Sequence, residues 1–191
     1  MISHNTYPGI TLIYGPMFSG KTTKLIEIYR ETIAKNRTCV AINYELDTRY
    51  GKNKIISHDG LVIDCHSIKN LDDFIKNSAT KDVITNADYI FINEAQFFDS
   101  IYTSVLYLNE TLGKNVVLCG LDLDYRRDKF GTMMELLSKA TNVYKMTGKC
   151  AKCGDESCYS HRIVNSYFQV LIGTAEYIPL CETCYVKENN I

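Results

Sequence analysis

The sequence predicts an α/β protein: a parallel sheet flanked by helices, followed by a small appendage that carries cysteine pairs. Three observations predict it. Short apolar runs alternate with helix-length segments through the first three quarters of the chain. The first run ends in a glycine-rich octapeptide, Gly15 to Thr22, with a helical pattern directly behind it. Beyond Gly148 the composition shifts to cysteine, tyrosine and polar residues. A βαβαβαβ succession has helices long enough to cross over, which makes the strands parallel and covers both sheet faces.

Each element follows from its own pattern. Residues 10–14 form a β-rich run ending at glycine. Over 22–35, Leu25, Ile26, Ile28, Tyr29 and Ile33 keep mostly to one helical face, with Lys24, Glu27 and Arg30 outside it. Residues 38–43 read as a buried strand. The polar stretch 45–60 lacks periodicity and is expected to be a long loop, ordered only with ligand bound. Residues 61–65 make a further strand, 70–77 a short helix, and 87–92 an apolar run fit for a central parallel strand. A helix over 100–112, a strand over 114–119, a helix over 132–140 and a last strand over 142–146 complete the alternation. The domain boundary falls after Gly148, giving units 1–147 and 148–191. The second unit is too small to build a core without a staple.

Composition excludes several classes. At 191 residues, 46% hydrophobic and 23% charged, the chain is neither disordered nor collagen-like. No apolar run approaches the roughly 20 residues that span a bilayer. Residues 1–8 lack a basic and apolar leader, so a reducing, cytoplasmic compartment is expected. A net charge of -1 argues against a dedicated nucleic-acid binder. The tail agrees, since Lys149, Lys152, Arg162 and Lys187 are offset by Asp155, Glu156, Glu176, Glu182 and Glu188.

Gly15-Pro16-Met17-Phe18-Ser19-Gly20-Lys21-Thr22 matches G-x-x-x-x-G-K-[ST] in the strand-to-helix context that this phosphate-binding loop requires. The glycines let backbone N–H groups surround phosphate oxygens at a helix N-terminus. Lys21 reaches the β and γ phosphates of ATP, and the Thr22 hydroxyl ligates Mg²⁺. Glu94 emerges at the carboxyl end of the apolar run 89–92, where ligands sit in open α/β sheets. There it can take a proton from an attacking hydroxyl. A chance glycine turn, and a carboxylate that merely caps a helix dipole, are the bland alternatives.

Eight cysteines fall into two groups. Cys150, Cys153, Cys181 and Cys184 form two C-x-x-C pairs, enough thiolates for a closed tetrahedral zinc that is structural rather than catalytic. Such a metal staples the tail, because its binding energy is folding energy. Redox pairs or iron–sulfur ligation remain alternatives. Cys39, Cys65, Cys119 and Cys158 read as small buried hydrophobes.

From end to end the chain resembles the zinc-containing, type II thymidine kinases. The resemblance rests on GPMFSGKT, DTRY at Asp47 to Tyr50, NEAQFF at Asn93 to Phe98, GLDLDYRRDKFG at Gly120 to Gly131, and both cysteine pairs. It implies a RecA-like domain and a zinc-bearing lasso, and transfer of the γ-phosphoryl group of ATP to the 5'-hydroxyl of thymidine with Mg²⁺. It implies Glu94 as general base, with Lys21 and Arg49 stabilising the transferred group. Asp47, Asn93 and Gln96 join the loop residues as ATP contacts. The nucleoside pocket falls on Met17, Phe97, Leu121, Tyr125, Phe130 and Tyr177. Ser160, Arg162 and the loop residues Phe168, Gln169, Val170, Leu171 and Ile172 join them, with the loop gripping thymine through its backbone. A homotetramer inhibited by thymidine triphosphate is implied as well.

Three residues depart from the family pattern. Asn93 stands where the family commonly has Asp, which predicts weaker Mg²⁺ binding or lower turnover. Tyr125 replaces a frequent Phe and brings a hydroxyl that needs a partner. Asp128 replaces a common proline and is expected to loosen its loop. Two rival readings remain, a degenerate nucleotide-binding regulator and a zinc-ribbon nucleic-acid-binding ATPase.

Overall fold

The computed structural model describes residues 8–47 and 51–190. β1 (Ile10–Tyr14) leads through the glycine-rich loop into α1 (Lys21–Ala34) and β2 (Cys39–Tyr44). β3 (Lys54–Ile56), β4 (Val62–Asp64), β5 (His66–Ile68), α2 (Leu71–Lys76) and α3 (Lys81–Thr85) follow. Next come β6 (Tyr89–Ile92), α4 (Ile101–Leu106), β7 (Asn115–Gly120) and β8 (Asn142–Lys145). The C-terminal segment holds β9 (Gly148–Lys149), β10 (Glu156–Ser157), β11 (Tyr159–Arg162), β12 (Tyr177–Leu180) and α5 (Glu182–Asn189).

Six strands form one parallel sheet in the order β5-β2-β6-β7-β1-β8, as the fold class required. The two-residue period of a strand divides its apolar residues between two cores. Leu12, Ile42, Ile90, Ile92 and Leu118 face α2, α3 and α4. Ile13, Ala41, Phe91, Val117 and Cys119 face α1 through Leu25 and Ile26. Burial on both faces explains why these strands read as continuous apolar runs. Each fully buried Leu or Ile contributes about 1.5–3 kcal/mol relative to exposure, so both faces are needed to offset chain entropy.

The expected long loop is partly wrong. β3 and β4 form an antiparallel hairpin in which Ile55 opposes Ile63, and both are buried against the α1 face. The strand expected over 61–65 is β4, whereas β3 lies inside the expected loop, its three residues holding too little alternation to be read from sequence. β5 was missed for the same reason, although it forms the sheet edge beside β2. The expected helix over 132–140 is a 3₁₀ segment, Met133–Ser138, whose buried Met133 and Leu136 are spaced three apart on the face such a helix stacks. Helix α4 continues as a π-helical turn, Tyr107–Thr111. At α2 the Asn70 side chain accepts from the Asp73 N–H at 3.1 Å and caps the first turn. Among the described residues no helix is long and apolar enough to cross a membrane.

Candidate active site

Tyr14 pairs with Gly120 and Ile92 with Leu118, so the loops that begin at Gly15, Asn93 and Leu121 leave the same edge of the sheet. That is the carboxyl edge, where open α/β sheets bind ligands. A cavity lies along it beside the glycine-rich loop. Residues 17–22 of the glycine-rich loop, with Asn43, Asp47, Asn93 and Glu94, line one end. Phe97, Leu121, Tyr125 and Phe130 line the other, beneath Ser160, Tyr177 and residues 169–172.

Left-handed backbone at Phe18 (φ 61°) and Gly20 (φ 80°) turns the loop into the kind of N–H concavity that holds anions. Ser19 Oγ donates to the Pro16 carbonyl at 2.8 Å, and Lys21 Nζ donates to the same carbonyl at 2.5 Å. The ammonium is thereby held over the loop mouth. Thr22 lies in the first turn of α1, and its hydroxyl donates to Asn93 Oδ1 at 3.4 Å.

Asn93 is 3% exposed and sits in a neutral network. Its Oδ1 also accepts from Cys119 Sγ at 3.0 Å, and its Nδ2 donates to the buried Asn43 Oδ1 at 2.9 Å. Burial pushes the Cys119 thiol up to about 12, which keeps it a thiol and a donor. An amide satisfies both sides of this arrangement without a buried charge. Glu94 follows in the left-handed region (φ 53°), an uncommon conformation for a glutamate that costs about 1 kcal/mol. It turns the chain sharply from β6 into the 3₁₀ turn Ala95–Phe97 and directs the carboxylate into the cavity. Behind Glu94, Gln96 is buried and bonds Glu94 Oε2. Burial raises the carboxyl of Asp122, nearby on the following loop, above its ordinary range.

Residues 163–176 arch over the aromatic end of the cavity, and Arg162 holds them. Its Nη1 donates to the carbonyls of Ser166 (3.2 Å) and Phe168 (2.5 Å), and its Nη2 to that of Gln169 (2.9 Å). The guanidinium lies 3.7 Å from the Tyr125 ring centroid and donates to the Tyr177 hydroxyl. Arg162 and Phe168 are not on the cavity wall. Arg162 is behind it, and the Phe168 ring is 78% exposed, with only its backbone facing inward to the arginine. The Tyr125 hydroxyl has its partners, donating to Ser166 O at 3.1 Å and accepting from Arg126 Nε at 2.8 Å. Asp128 does not loosen its loop. Its N–H donates to Asp124 Oδ1 at 2.9 Å, a bond that a proline has no hydrogen to make.

The four paired cysteines converge, with their Sγ atoms all within 4.8 Å of one another. Tetrahedral zinc at about 2.3 Å per Zn–S bond spaces its sulfurs about 3.8 Å apart, so the cluster fits the ion. Gly154 N–H donates to the Cys150 carbonyl at 2.9 Å and closes one knuckle. Cys181 caps α5, and Cys184 lies three residues on, on the same side of that helix. Beneath them Leu180 and Tyr185 form a small core.

A family model described as thymidine kinase matches residues 9–185. The chain belongs to the thymidine kinase family. Relatives in the family include the thymidine kinase of Bacteroides thetaiotaomicron, 40% identical over 93% of this chain and 87% of that one. The thymidine kinase of Oryza sativa subsp. japonica is 35% identical over 97% of this chain and 69% of its own. Thymidine kinase 1 of Dictyostelium discoideum is 36% identical over 95% and 79%. Among solved structures, domain III of the Thermotoga maritima replication initiation protein DnaA aligns at TM-score 0.47 and 19% identity, covering 74% of this chain and 55% of that one.

Of the site residues that the family resemblance implied, Arg49 lies outside the described residues. Gly15 and Pro16 lie behind the loop surface that Met17 to Thr22 present to the cavity. Sequence reasoning missed Asn43, a polar residue ending an apolar strand, which was the available signal. It also missed His58 and Asp59 on the β3–β4 hairpin tip, because the hairpin itself was not legible. Both line the cavity, where Thr23 Oγ1 donates to Asp59 Oδ2 at 2.8 Å.

Proposed function

We propose that the chain transfers the γ-phosphoryl group of ATP to the 5'-hydroxyl of thymidine, with deoxyuridine as a second acceptor, in nucleotide salvage for DNA synthesis. The observation that carries this reading is the one cavity in which a phosphate-binding loop and Glu94 meet an apolar, aromatic pocket. In this reading residues 1–147 bind ATP and residues 148–191 close over the nucleoside. Glu94 takes the 5'-hydroxyl proton as that oxygen attacks the γ-phosphorus. Lys21 offsets charge on the transferred group, and Arg49 adds a second cation. Mg²⁺, when bound, offsets phosphate charge; Thr22 and Asn93 are the residues that would hold it. Phosphoryl transfer asks for positioning and charge stabilisation, so this set suffices. Deoxyuridine lacks one methyl group, a difference of only about 1–3 kcal/mol in an apolar pocket. Zinc at the four cysteines is structural, and the family resemblance extends the reading to a homotetramer inhibited by thymidine triphosphate.

The test is transfer of labelled phosphate from ATP to a panel of nucleosides, with Glu94→Gln alongside. Thymidine monophosphate is expected from the wild type, falling about 10²- to 10⁴-fold in the variant. No transfer to any nucleoside by a protein that still binds ATP would favour a degenerate regulator, the reading to which the neutral Asn93 points.

A further inference from the structure

We propose that Gln96 is the positioning residue of the base: it orients the Glu94 carboxylate, and it is not a ligand of ATP. The inference rests on the reading of Glu94 given above. Gln96 is 3% exposed and lies behind the cavity wall. Its Oε1 accepts from the Leu121 backbone N–H at 3.0 Å, and its Nε2 donates to Glu94 Oε2 at 2.6 Å. A side-chain amide can ordinarily be turned end for end. Here it cannot, because the Leu121 N–H can only donate, so oxygen must face it and nitrogen must face Glu94. The donor therefore meets the carboxylate in a short, charge-assisted bond that fixes its direction.

The surroundings are shaped for this amide. A Cβ at Gly120 would lie 2.4 Å from Gln96 Oε1 and 2.8 Å from Met133 Sδ. One at Gly131 would lie 2.5 Å from the Gln96 carbonyl oxygen. These glycines bound the GLDLDYRRDKFG segment, so the segment closes around Gln96 at both ends. With Glu94 in a left-handed corner and its Oε2 tied, the carboxylate keeps one direction into the cavity.

Gln96→Met keeps the side-chain length and removes both polar ends. Gln96→Glu keeps the shape and the Leu121 bond but sets a second carboxylate against Glu94. The readouts are kcat, both KM values and the unfolding midpoint, with Glu94→Gln in parallel. Both Gln96 variants are expected to lower kcat about 10- to 100-fold, the cost of a misplaced catalytic group. The ATP KM should stay within about twofold, since a lost transition-state interaction leaves ground-state binding alone.

A lower unfolding midpoint with kcat unchanged would reduce Gln96 to a packing role and overturn the proposal. A raised ATP KM with kcat unchanged would make it an ATP ligand and do the same. Gln96→Glu retains the packing, so it reports even where Gln96→Met fails to fold. Wild-type kcat in Glu94→Gln would remove the base assignment itself. Inactive Glu94→Gln beside silent Gln96 variants would remove only the role given to Gln96.

Discussion

The backbone N–H of Met17 donates to Ser160 Oγ at 2.9 Å, tying the phosphate-binding loop to β11 across 143 positions of sequence. Ser160 is itself buried and pairs with Pro179 of β12, two residues from Tyr177 on the cavity wall. The glycine-rich loop and the segment over the aromatic end of the cavity are therefore tied to each other. Ser160→Ala leaves a part-buried N–H without its acceptor, which costs about 1–3 kcal/mol. The expected result is a KM for ATP raised roughly tenfold, with thymidine KM raised in parallel. Steady-state kinetics with each substrate varied against the other would check it, and an effect confined to thymidine would refute the coupling.

Arg162 organises three carbonyls through a planar fork, and a lysine cannot reproduce that geometry. Arg162→Lys should raise the thymidine KM by roughly tenfold or more, because the arch must then be ordered at the moment of binding. The ATP KM should move little. Comparing the two KM values reads the prediction directly.

Asn93 predicts a metal phenotype. In Asn93→Asp the Asn43 amide must turn so that its nitrogen faces the new carboxylate, which Thr22 and Cys119 already supply with donors. The added charge strengthens a hard-cation site. Half-maximal activity should be reached at lower Mg²⁺, by about threefold to tenfold if the gain is near 1 kcal/mol. An Mg²⁺ titration that overlays the wild type would end this account of Asn93.

Metal analysis should find close to one zinc per chain, as a four-thiolate site holds one ion. Cys153→Ser, or a strong chelator, should remove it and lower the unfolding temperature. The Leu180 and Tyr185 core is small, so the segment 148–190 should open before the sheet does. Full stability and activity in a metal-free protein would contradict the structural role of all four cysteines.

Local chemistry was the legible part. Residues Gly15 to Thr22 and each C-x-x-C pair act within a few positions of themselves, so a sequence displays them whole. The central strands β1, β2, β6 and β7 were legible because burial on both faces writes a nearly unbroken apolar run. Of the β3–β4 hairpin only β4 was read, within the strand expected over 61–65; β3 was not, since it holds one buried residue whose meaning lies in the α1 face it covers. Tyr125 and Asp128 were noticed only as departures; their partners, Ser166 and Asp124, come from the folded loop.

Taken alone, the sequence determined the α/β class, the phosphate-binding loop, the acidic residue at a strand end, and the four thiolates, because each is a pattern in one dimension. The tertiary structure alone decided that Met17 meets Ser160, that Gln96 bridges Glu94 and Leu121, and that Arg162 faces Tyr125 while Phe168 faces solvent. These are contacts between distant segments and between the two ends of a single amide. Their geometry depends on sheet order and on which face each strand presents, and neither is encoded in local spacing.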